Sequence, residues 1–265
     1  MPTAAATPAG LLAAVLAADP ARPLITQYDD ATGERTELSA VSFANWVAKT
    51  ANLLQDTGYG PGSAAAILLP PHWQNAAIQF ACWSAGVAVA HGPRGGAPEK
   101  ADVVFAGPET LEAAADLGAA DVYALSLAPL AMPLRQVPPG VSDYASEVRA
   151  HGDRFVPYSP VDPGSPALDG DFGGRGPLSH SALAALSSTR ATELGLTAAD
   201  RVLVVAGPAI RPVDWLLAPV AAGASVVLCR NADPGALAHR AESERVTATL
   251  NCQVDGIRAL LPEVR

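Results

Sequence analysis

Short apolar runs alternate with amphipathic segments along this chain of 265 residues, and that alternation is what most limits its fold. Residues 64–69 form a continuous apolar run, the pattern of a parallel strand that is buried on both faces. After Ser39, apolar residues recur every three to four positions as far as Gly58, which predicts an amphipathic helix that ends at the glycine. Strands that alternate with helices imply βαβ units. We therefore predict an α/β fold with two parallel-sheet lobes that are flanked by helices.

The remaining predicted elements lie on either side of an irregular middle region. Before it we predict helices at 72–85 and 109–117, and strands at 87–90, 102–105 and 122–125. After it we predict helices at 179–194, 213–222 and 234–244, and strands at 201–206, 225–228 and 246–250. Residues 128–176 are rich in proline and glycine, and we interpret them as a link between the lobes. The predicted domains are 1–160, a first lobe that ends in this linker, and 161–265, a second lobe.

The charge of the chain limits the classes of partner that it can bind. Its formal net charge is −9, which would repel a nucleic acid or an anionic membrane surface. Hydrophobic residues make up 49% of the chain and charged residues 16%, the composition of a globular protein. We therefore expect a small molecule or a protein as partner, with no nucleic acid and no membrane.

The cysteines and the apolar runs point to a soluble protein without a metal centre. Cys82, Cys229 and Cys252 are widely separated and form no C-x-x-C pair, so we expect them in the core and not in a zinc site or a disulfide. The apolar stretch 11–18 has no preceding Lys or Arg, unlike a secretory signal. The longest apolar stretch, 76–90, is too short to cross a membrane. The expected location is the cytoplasm.

Four stretches carry a family likeness through their order and spacing. Residues 22–39 contain RPLI and ELS, residues 53–70 contain GYGPGS and ILLP, residues 85–90 read AGVAVA, and residues 194–247 contain LGLT, DRVL, LLAPVAAGASVVL and DPGAL. This series resembles the N-terminal half of the adenylate-forming acyl-CoA synthetases and ligases. The resemblance implies the two-lobed α/β fold of their large N-terminal domain. It does not by itself imply their activity.

The phosphate loop of those enzymes has only a partial counterpart here. They carry a loop of the type T-S-G-T-T-G-x-P-K-G followed by a [ST]-H pair, whereas residues 161–180 read VDPGSPALDGDFGGRGPLSH. Residues 167–172 replace the hydroxyl-bearing half of that loop, and Asp169 and Asp171 in this stretch would repel the phosphates of ATP unless a metal intervened. By resemblance, the residues left to bind ATP or AMP with Mg²⁺ are Gly173, Gly174, Arg175, Gly176, Ser179 and His180. A surface turn with one solvated arginine is the alternative that the sequence leaves open.

Two further departures from the family concern its acyl pocket and its length. Residues 207–211, GPAIR, stand where the family has a histidine-containing P..H..G loop that lines the acyl pocket. The family's adenine-binding stretch, its ribose-binding aspartate and its C-terminal domain with a catalytic lysine have no counterpart before Arg265. We therefore interpret the chain as a truncated, degenerate relative and predict no catalytic residue.

Weaker candidates lie outside these motifs. Residues 91–96, HGPRGG, follow a predicted strand and could hold an anion or form a plain loop. His72 and His180 lie near predicted helix starts, where capping or packing is the common role. Asp169 and Asp171 could ligate a cation, but acidic residues in a glycine-rich loop are more often solvated.

These observations leave three hypotheses for function. The first is an acyl-CoA synthetase-like protein that does not adenylate a carboxylic acid alone and instead binds a nucleotide or acyl ligand weakly, or interacts with a protein. The second is one half of a split AMP-forming carboxylate ligase that a partner chain completes. The third is a homodimer that covers an exposed apolar face.

Overall fold

The computed structural model describes residues 6–92, 96–170, 176–207 and 210–260. It divides into two compact units. Unit 1 comprises Met1–Ala9, Ala44–Leu69 and Gln74–Leu183. Unit 2 comprises Gly10–Phe43, Pro70–Trp73 and Ala184–Arg265.

Strands and helices alternate through most of the chain. The strands are β1 (Pro23–Asp29), β2 (Glu34–Ser39), β3 (Ala64–Leu68), β4 (Ala88–His91), β5 (Val103–Ala106), β6 (Asp121–Ala124), β7 (Ser142–Asp143), β8 (Pro166–Gly170), β9 (Leu178–Ser179), β10 (Arg201–Val205), β11 (Ser225–Arg230), β12 (Ala248–Leu250) and β13 (Arg258–Leu260). The helices are α1 (Pro8–Ala18), α2 (Ala40–Asp56), α3 (Trp73–Ala85), α4 (Leu111–Ala115), α5 (Tyr144–Val148), α6 (His180–Glu193), α7 (Ala218–Ala222) and α8 (Leu237–Ser243). Val213–Leu217 forms a π-helical turn, and Pro129–Ala131 and Pro234–Ala236 form 3₁₀ turns.

Unit 1 is built on a seven-stranded sheet in the order β7-β6-β5-β3-β4-β8-β9. All neighbouring strands are parallel except β8 and β9, which are antiparallel. Strand β5, between β6 and β3, is buried along its whole length, which explains its purely apolar sequence. Phe105 on β5 stacks on Tyr123 with ring centroids 5.4 Å apart, and its ring edge meets Tyr144 at 6.0 Å.

Unit 2 is built on a six-stranded sheet in the order β13-β12-β10-β11-β1-β2. Its strands are parallel except for β2, which forms an antiparallel hairpin with β1. The hairpin ends at Ser39, whose Oγ accepts a hydrogen bond from the backbone N–H of Ser42 at 3.2 Å. This cap begins α2, as the sequence predicted.

The α/β prediction is confirmed, because both units consist of mostly parallel sheets with helices. Among the elements that were not predicted are α1, β9, β13 and the short elements inside residues 128–176. That supposed linker contains β7, α5 and β8, and β8 lies between β4 and β9 in the seven-stranded sheet. A boundary at residue 160 therefore falls inside unit 1, and the N-terminal hairpin lies in unit 2 because β1 pairs with β11.

The cysteines lie largely where the sequence analysis placed them. Cys82 and Cys229 are buried and Cys252 is half-buried, and all three are free thiols. Burial raises the pKa of Cys82 to about 12, so this thiol stays protonated and behaves as a small apolar side chain.

Candidate functional site

The segment that corresponds to the phosphate loop begins on strand β8. Asp169 lies opposite Ala90 of β4, and Gly170 lies opposite His91. Gly170 has a φ of +88°, and a Cβ at this position would lie 1.8 Å from the carbonyl oxygen of His91. Only glycine fits there, so the strand ends in a tight approach between two backbones. The Asp169 side chain is exposed one residue earlier.

On the far side of the segment, the chain returns as β9 and enters helix α6. Ser179 caps the helix, since its Oγ accepts a hydrogen bond from the backbone N–H of Ala182 at 3.2 Å. The Ser179 hydroxyl also lies 3.1 Å from that of Ser181. The backbone N–H groups of His180 and Ser181 donate to the carbonyl oxygens of Ser165 and Pro163. Several backbone N–H groups at the start of α6 are therefore already paired with acceptors of the protein.

His180, the first residue of α6, has a fully buried side chain. Within the part of the chain that the structure describes, neither ring nitrogen has a hydrogen-bond partner. Burial lowers the pKa of His180, and the nearby carboxylate of Asp162 offsets part of that effect. We therefore expect a neutral imidazole at neutral pH, which adds no positive charge for a phosphate.

The predicted binding residues are only partly placed by the structure. Gly173, Gly174 and Arg175 lie outside the described residues, as does Asp171. Gly176 is exposed, whereas Ser179 and His180 are adjacent at the start of α6. The role of these six residues in binding ATP or AMP therefore stays a prediction.

The remaining candidates from the sequence are His72 and the loop that begins at His91. His72 is fully buried, and burial together with the nearby Arg230 lowers its pKa to about 3. Burial likewise lowers the pKa of His91 to about 4. The loop after His91 closes on itself through a hydrogen bond from the Gly92 N–H to the Gly96 carbonyl at 2.8 Å. Arg94, the proposed anion-binding residue of this loop, lies outside the described residues.

Arg211, at the position of the family's P..H..G loop, belongs to an ion-pair network in unit 2. Its Nε donates to Asp214 Oδ2 at 2.8 Å, and Arg190 Nε donates to Asp214 Oδ1 at 2.7 Å. Asp214 is 1% exposed and lies in the π-helical turn. Glu193 accepts from Arg190 Nη1 at 2.9 Å, so two arginines face two carboxylates. Because the network is neutral, we assign it a structural role.

The described residues contain neither a metal-binding cluster nor a membrane-spanning helix. Within residues 6–92, 96–170, 176–207 and 210–260, no group of three or more His, Cys, Asp or Glu side chains could hold a metal ion. No helix in these ranges is long and apolar enough to cross a membrane.

The sequence analysis missed a second charged region, in unit 2. This region brings together residues that are separated by up to 223 positions along the chain: Arg22, Arg201, Glu244 and Arg245. Their spacing follows no motif, so the sequence carries no signal for this cluster beyond the arginines that precede or begin β1 and β10.

Comparisons with known proteins show which family the chain belongs to. No family model matches it. A protein of Mycobacterium tuberculosis (strain ATCC 25618 / H37Rv), described as a TIGR03089 family protein, is 46% identical over 246 residues, which cover 91% of this chain and 96% of that protein. The chain belongs to the TIGR03089 family. Since 96% of that relative is covered, the two family members have similar lengths.

Two solved structures show which fold this TIGR03089 family member shares. An acyl-CoA synthetase from Brucella canis matches with a TM-score of 0.73 and 18% identity, over 92% of this chain and 47% of that one. The anthranilate CoA ligase AuaEII, in complex with anthranoyl-AMP, matches with a TM-score of 0.69 and 14% identity, over 92% and 49%. The chain thus has an acyl-CoA synthetase-like fold of the N-terminal-domain type and spans about half the length of these two structures.

Proposed function

We propose that this protein is an acyl-CoA synthetase-like binding protein that does not adenylate a carboxylic acid on its own. The observation that carries the proposal is the end of strand β8, where Asp169 exposes a carboxylate immediately before the constrained Gly170. In the adenylate-forming enzymes that the chain resembles, hydroxyl-bearing residues occupy this part of the segment. A negative charge at the same place opposes the approach of a triphosphate.

The net charge of residues 161–180 also opposes the binding of ATP. Residues 161–180 contain three aspartates, Asp162, Asp169 and Asp171, against the single cation Arg175, and His180 is neutral. Each carboxylate about 4 Å from a phosphate charge would cost about 1 kcal/mol in water and about 4 kcal/mol near a protein surface. One arginine offsets one carboxylate and leaves the segment with two excess negative charges. Mg²⁺ could reduce this repulsion, which is why binding and chemistry are tested separately below.

The retained fold supports a binding or interaction role. Both sheets, the Ser179 cap and the buried His180 are in place, so within residues 161–180 the difference from the family concerns charge and not the surrounding scaffold. We propose that a nucleotide or acyl ligand binds weakly at Gly173 to His180, or that the protein acts through a protein partner.

Two measurements test this proposal. ATP–pyrophosphate exchange is measured with Mg²⁺ and a panel of short, medium, long and aromatic carboxylic acids. No exchange above the protein-free background is expected with any acid, and acid-dependent exchange would overturn the proposal. Isothermal titration with ATP and Mg²⁺, and then with AMP, tests the binding part. Saturable binding that Arg175→Ala weakens would place the ligand at the altered segment, whereas no heat at millimolar ligand would leave the interaction role.

The split-ligase alternative is favoured by one observation, the match of this chain to about half of two enzyme structures. In that case, ATP-dependent ligase activity appears only when a partner chain is added. Fractions of an extract from the native host would restore activity to the purified protein, and Arg175→Ala would abolish that restoration. If the extract restored equal activity to Arg175→Ala, the proposed anion site would be wrong.

A further inference from the structure

Unit 2 contains a cleft that lies outside the phosphate-loop segment. Its volume is about 370 Å³, within the range of small-ligand sites. It opens beside the first residues of three neighbouring strands, Pro23 of β1, Arg201 of β10 and Ser225 of β11. It is therefore at the amino ends of the parallel strands, whereas Asp169 lies near the carboxyl end of β8 in unit 1.

The acidic side chains of the cleft are already occupied. Glu244 accepts hydrogen bonds from the hydroxyl of Tyr28 at 2.5 Å, from Arg35 at 2.9 Å and from Arg201. Burial alone would raise the pKa of Glu244, but these donors outweigh burial and lower its pKa to about 2. Glu37 accepts from Arg35 at 2.7 Å and from Thr26 at 3.1 Å. Both carboxylates are thus held by hydrogen bonds from side chains of unit 2.

The arginines of the cleft keep unused donors. Arg22 donates to the carbonyl oxygens of Gly223 at 3.0 Å and Asp200 at 3.5 Å, which leaves part of its guanidinium free. Arg201 uses Nη1 for Ser225 and Nη2 for Thr26 and Glu244.

Arg245 has the largest donor capacity left. Its side chain has no hydrogen bond or ion pair with any residue that the structure describes, and the residue is exposed. Its backbone φ of +53° follows the end of α8, where its N–H caps the Glu242 carbonyl oxygen at 3.1 Å. The side chain is therefore free to bind a ligand while its backbone is fixed by the helix end.

The balance of charge selects the class of ligand. Three arginines line the cleft, Arg22, Arg201 and Arg245, against the two glutamates Glu37 and Glu244, so one positive charge is in excess. The chain as a whole carries −9, so the sign of the cleft is opposite to the net charge of the chain. A phosphate monoester carries between about −1.5 and −2 at neutral pH and several strong acceptor oxygens. Arginine donors suit such a group.

We propose that this cleft binds the phosphate group of a small phosphorylated molecule, or free phosphate. The free donors of Arg245 and Arg22 hold the phosphate oxygens, and the occupied glutamates keep Arg201 in position. This site is independent of the function proposed above, because it shares no residue with the segment from Gly173 to His180.

Isothermal titration at low ionic strength with inorganic phosphate, and with glycerol 3-phosphate against glycerol, tests this site. Saturable binding of inorganic phosphate at millimolar concentration is expected, with none for glycerol. Tighter binding of glycerol 3-phosphate would identify an ester as the ligand, and equal binding would identify the phosphate group alone. Absence of saturable heat with both phosphates would overturn the proposal.

Two variants with opposite effects test the residues. Arg245→Gln removes a charge-assisted donor that no described residue uses, and we expect it to weaken phosphate binding about tenfold. Glu37→Gln removes a negative charge and should tighten binding. The control Arg135→Gln changes an exposed arginine of unit 1 and should leave binding unchanged. Equal weakening by Arg245→Gln and Arg135→Gln would show only a general charge effect and would overturn the site, as would no effect of Arg245→Gln.

Discussion

The two units share an α/β design but differ in how they use charge. Among the described residues, unit 1 has two salt bridges, Lys49–Asp153 and His151–Asp56, and in each the carboxylate is more than half exposed. Unit 2 has ten, and several of them are largely buried. Unit 1 is therefore stabilised mainly by apolar packing, whereas unit 2 combines an apolar core with matched ion pairs.

The difference extends to the surfaces that could meet a ligand. In unit 1 the end of β8 presents the carboxylate of Asp169, at the place where the family resemblance leads one to expect a phosphate loop. In unit 2 the cleft presents the arginines Arg22 and Arg245. The charge that suits a phosphate is thus found away from the expected loop, so a shared fold does not fix the place of a site.

The largest expected effect concerns the apolar core of unit 1. Trp83 is 1% exposed, its indole N–H donates to the carbonyl of Ala167 at 3.0 Å, and its ring meets Phe80 edge to face. Trp83→Ala should lower the free energy of unfolding by about 4 kcal/mol, because it opens a cavity and leaves a carbonyl on β8 unpaired. Trp83→Phe, which keeps a ring, should cost less than half of that. Denaturant unfolding measures both, and a loss below about 1 kcal/mol for Trp83→Ala would contradict apolar packing as the basis of unit 1.

The buried ion pairs of unit 2 give the next largest effect. Asp214→Ala removes the buried carboxylate that pairs with Arg190, leaves this arginine only the exposed Glu193, and should cost about 3 kcal/mol. The matched change in unit 1, Asp153→Ala, removes an exposed partner of Lys49 and should cost less than about 1 kcal/mol. Equal losses in the same unfolding experiment would remove the contrast between the units.

Acid should destabilise unit 2 through Glu244. Its pKa in the folded protein is about 2, below the ordinary 4.5, because hydrogen bonds from Tyr28, Arg201 and Arg35 outweigh the effect of burial. The unfolded chain binds the proton more readily, so this contribution is complete above pH 4.5 and is lost as the pH falls toward 2. Unfolding curves recorded across this range should show a steeper loss for the parent protein than for Glu244→Gln. Parallel curves would mean that Glu244 contributes nothing to the acid sensitivity.

The smallest expected effect concerns the exposed carboxylate of β8. Asp169→Ser should change the free energy of unfolding by less than about 0.5 kcal/mol, since the side chain is exposed. It should nevertheless tighten any binding of ATP with Mg²⁺ by up to about fivefold, because one repulsive charge is removed. The control Asp255→Ser changes an exposed carboxylate of unit 2 and should leave ATP binding unchanged. Identical titrations for the two variants would show that Asp169 does not face a nucleotide.

The parts of the fold that sequence reasoning found are those with local signals. Helix α2 was predicted from its repeat of apolar residues between Ser39 and Gly58, and β3 from its continuous apolar run. Helix α1 was missed because its residues are almost all apolar and show no polar face. Strand β8, with the sequence PALDG, contains three residues that strands disfavour, and its pairing with β4 supplies what its composition lacks.

The candidate sites, like the elements of the fold, could be predicted only where the sequence carries a local signal. The Ser179 cap could be found from the sequence because a serine before a helix is a local signal. The arginine cleft could not, since it joins residues such as Arg22 and Arg245 that are far apart in the chain. The carboxylates of the phosphate-loop segment were visible in the sequence, and the structure adds that Asp169 is exposed next to a glycine without room for a side chain.

The acyl-CoA synthetase-like fold is retained here, and we propose that the chain alone does not adenylate a carboxylic acid. The most direct test is a single-turnover experiment in which the purified protein is in excess over ATP, with Mg²⁺ and a carboxylic acid, followed by quenching and detection of acyl-AMP by mass spectrometry. Excess protein reveals even one turnover that a slow or product-inhibited enzyme would hide. We predict no acyl-AMP above the protein-free background for any acid in the panel. Acyl-AMP in an amount that rises with the protein concentration would contradict the account.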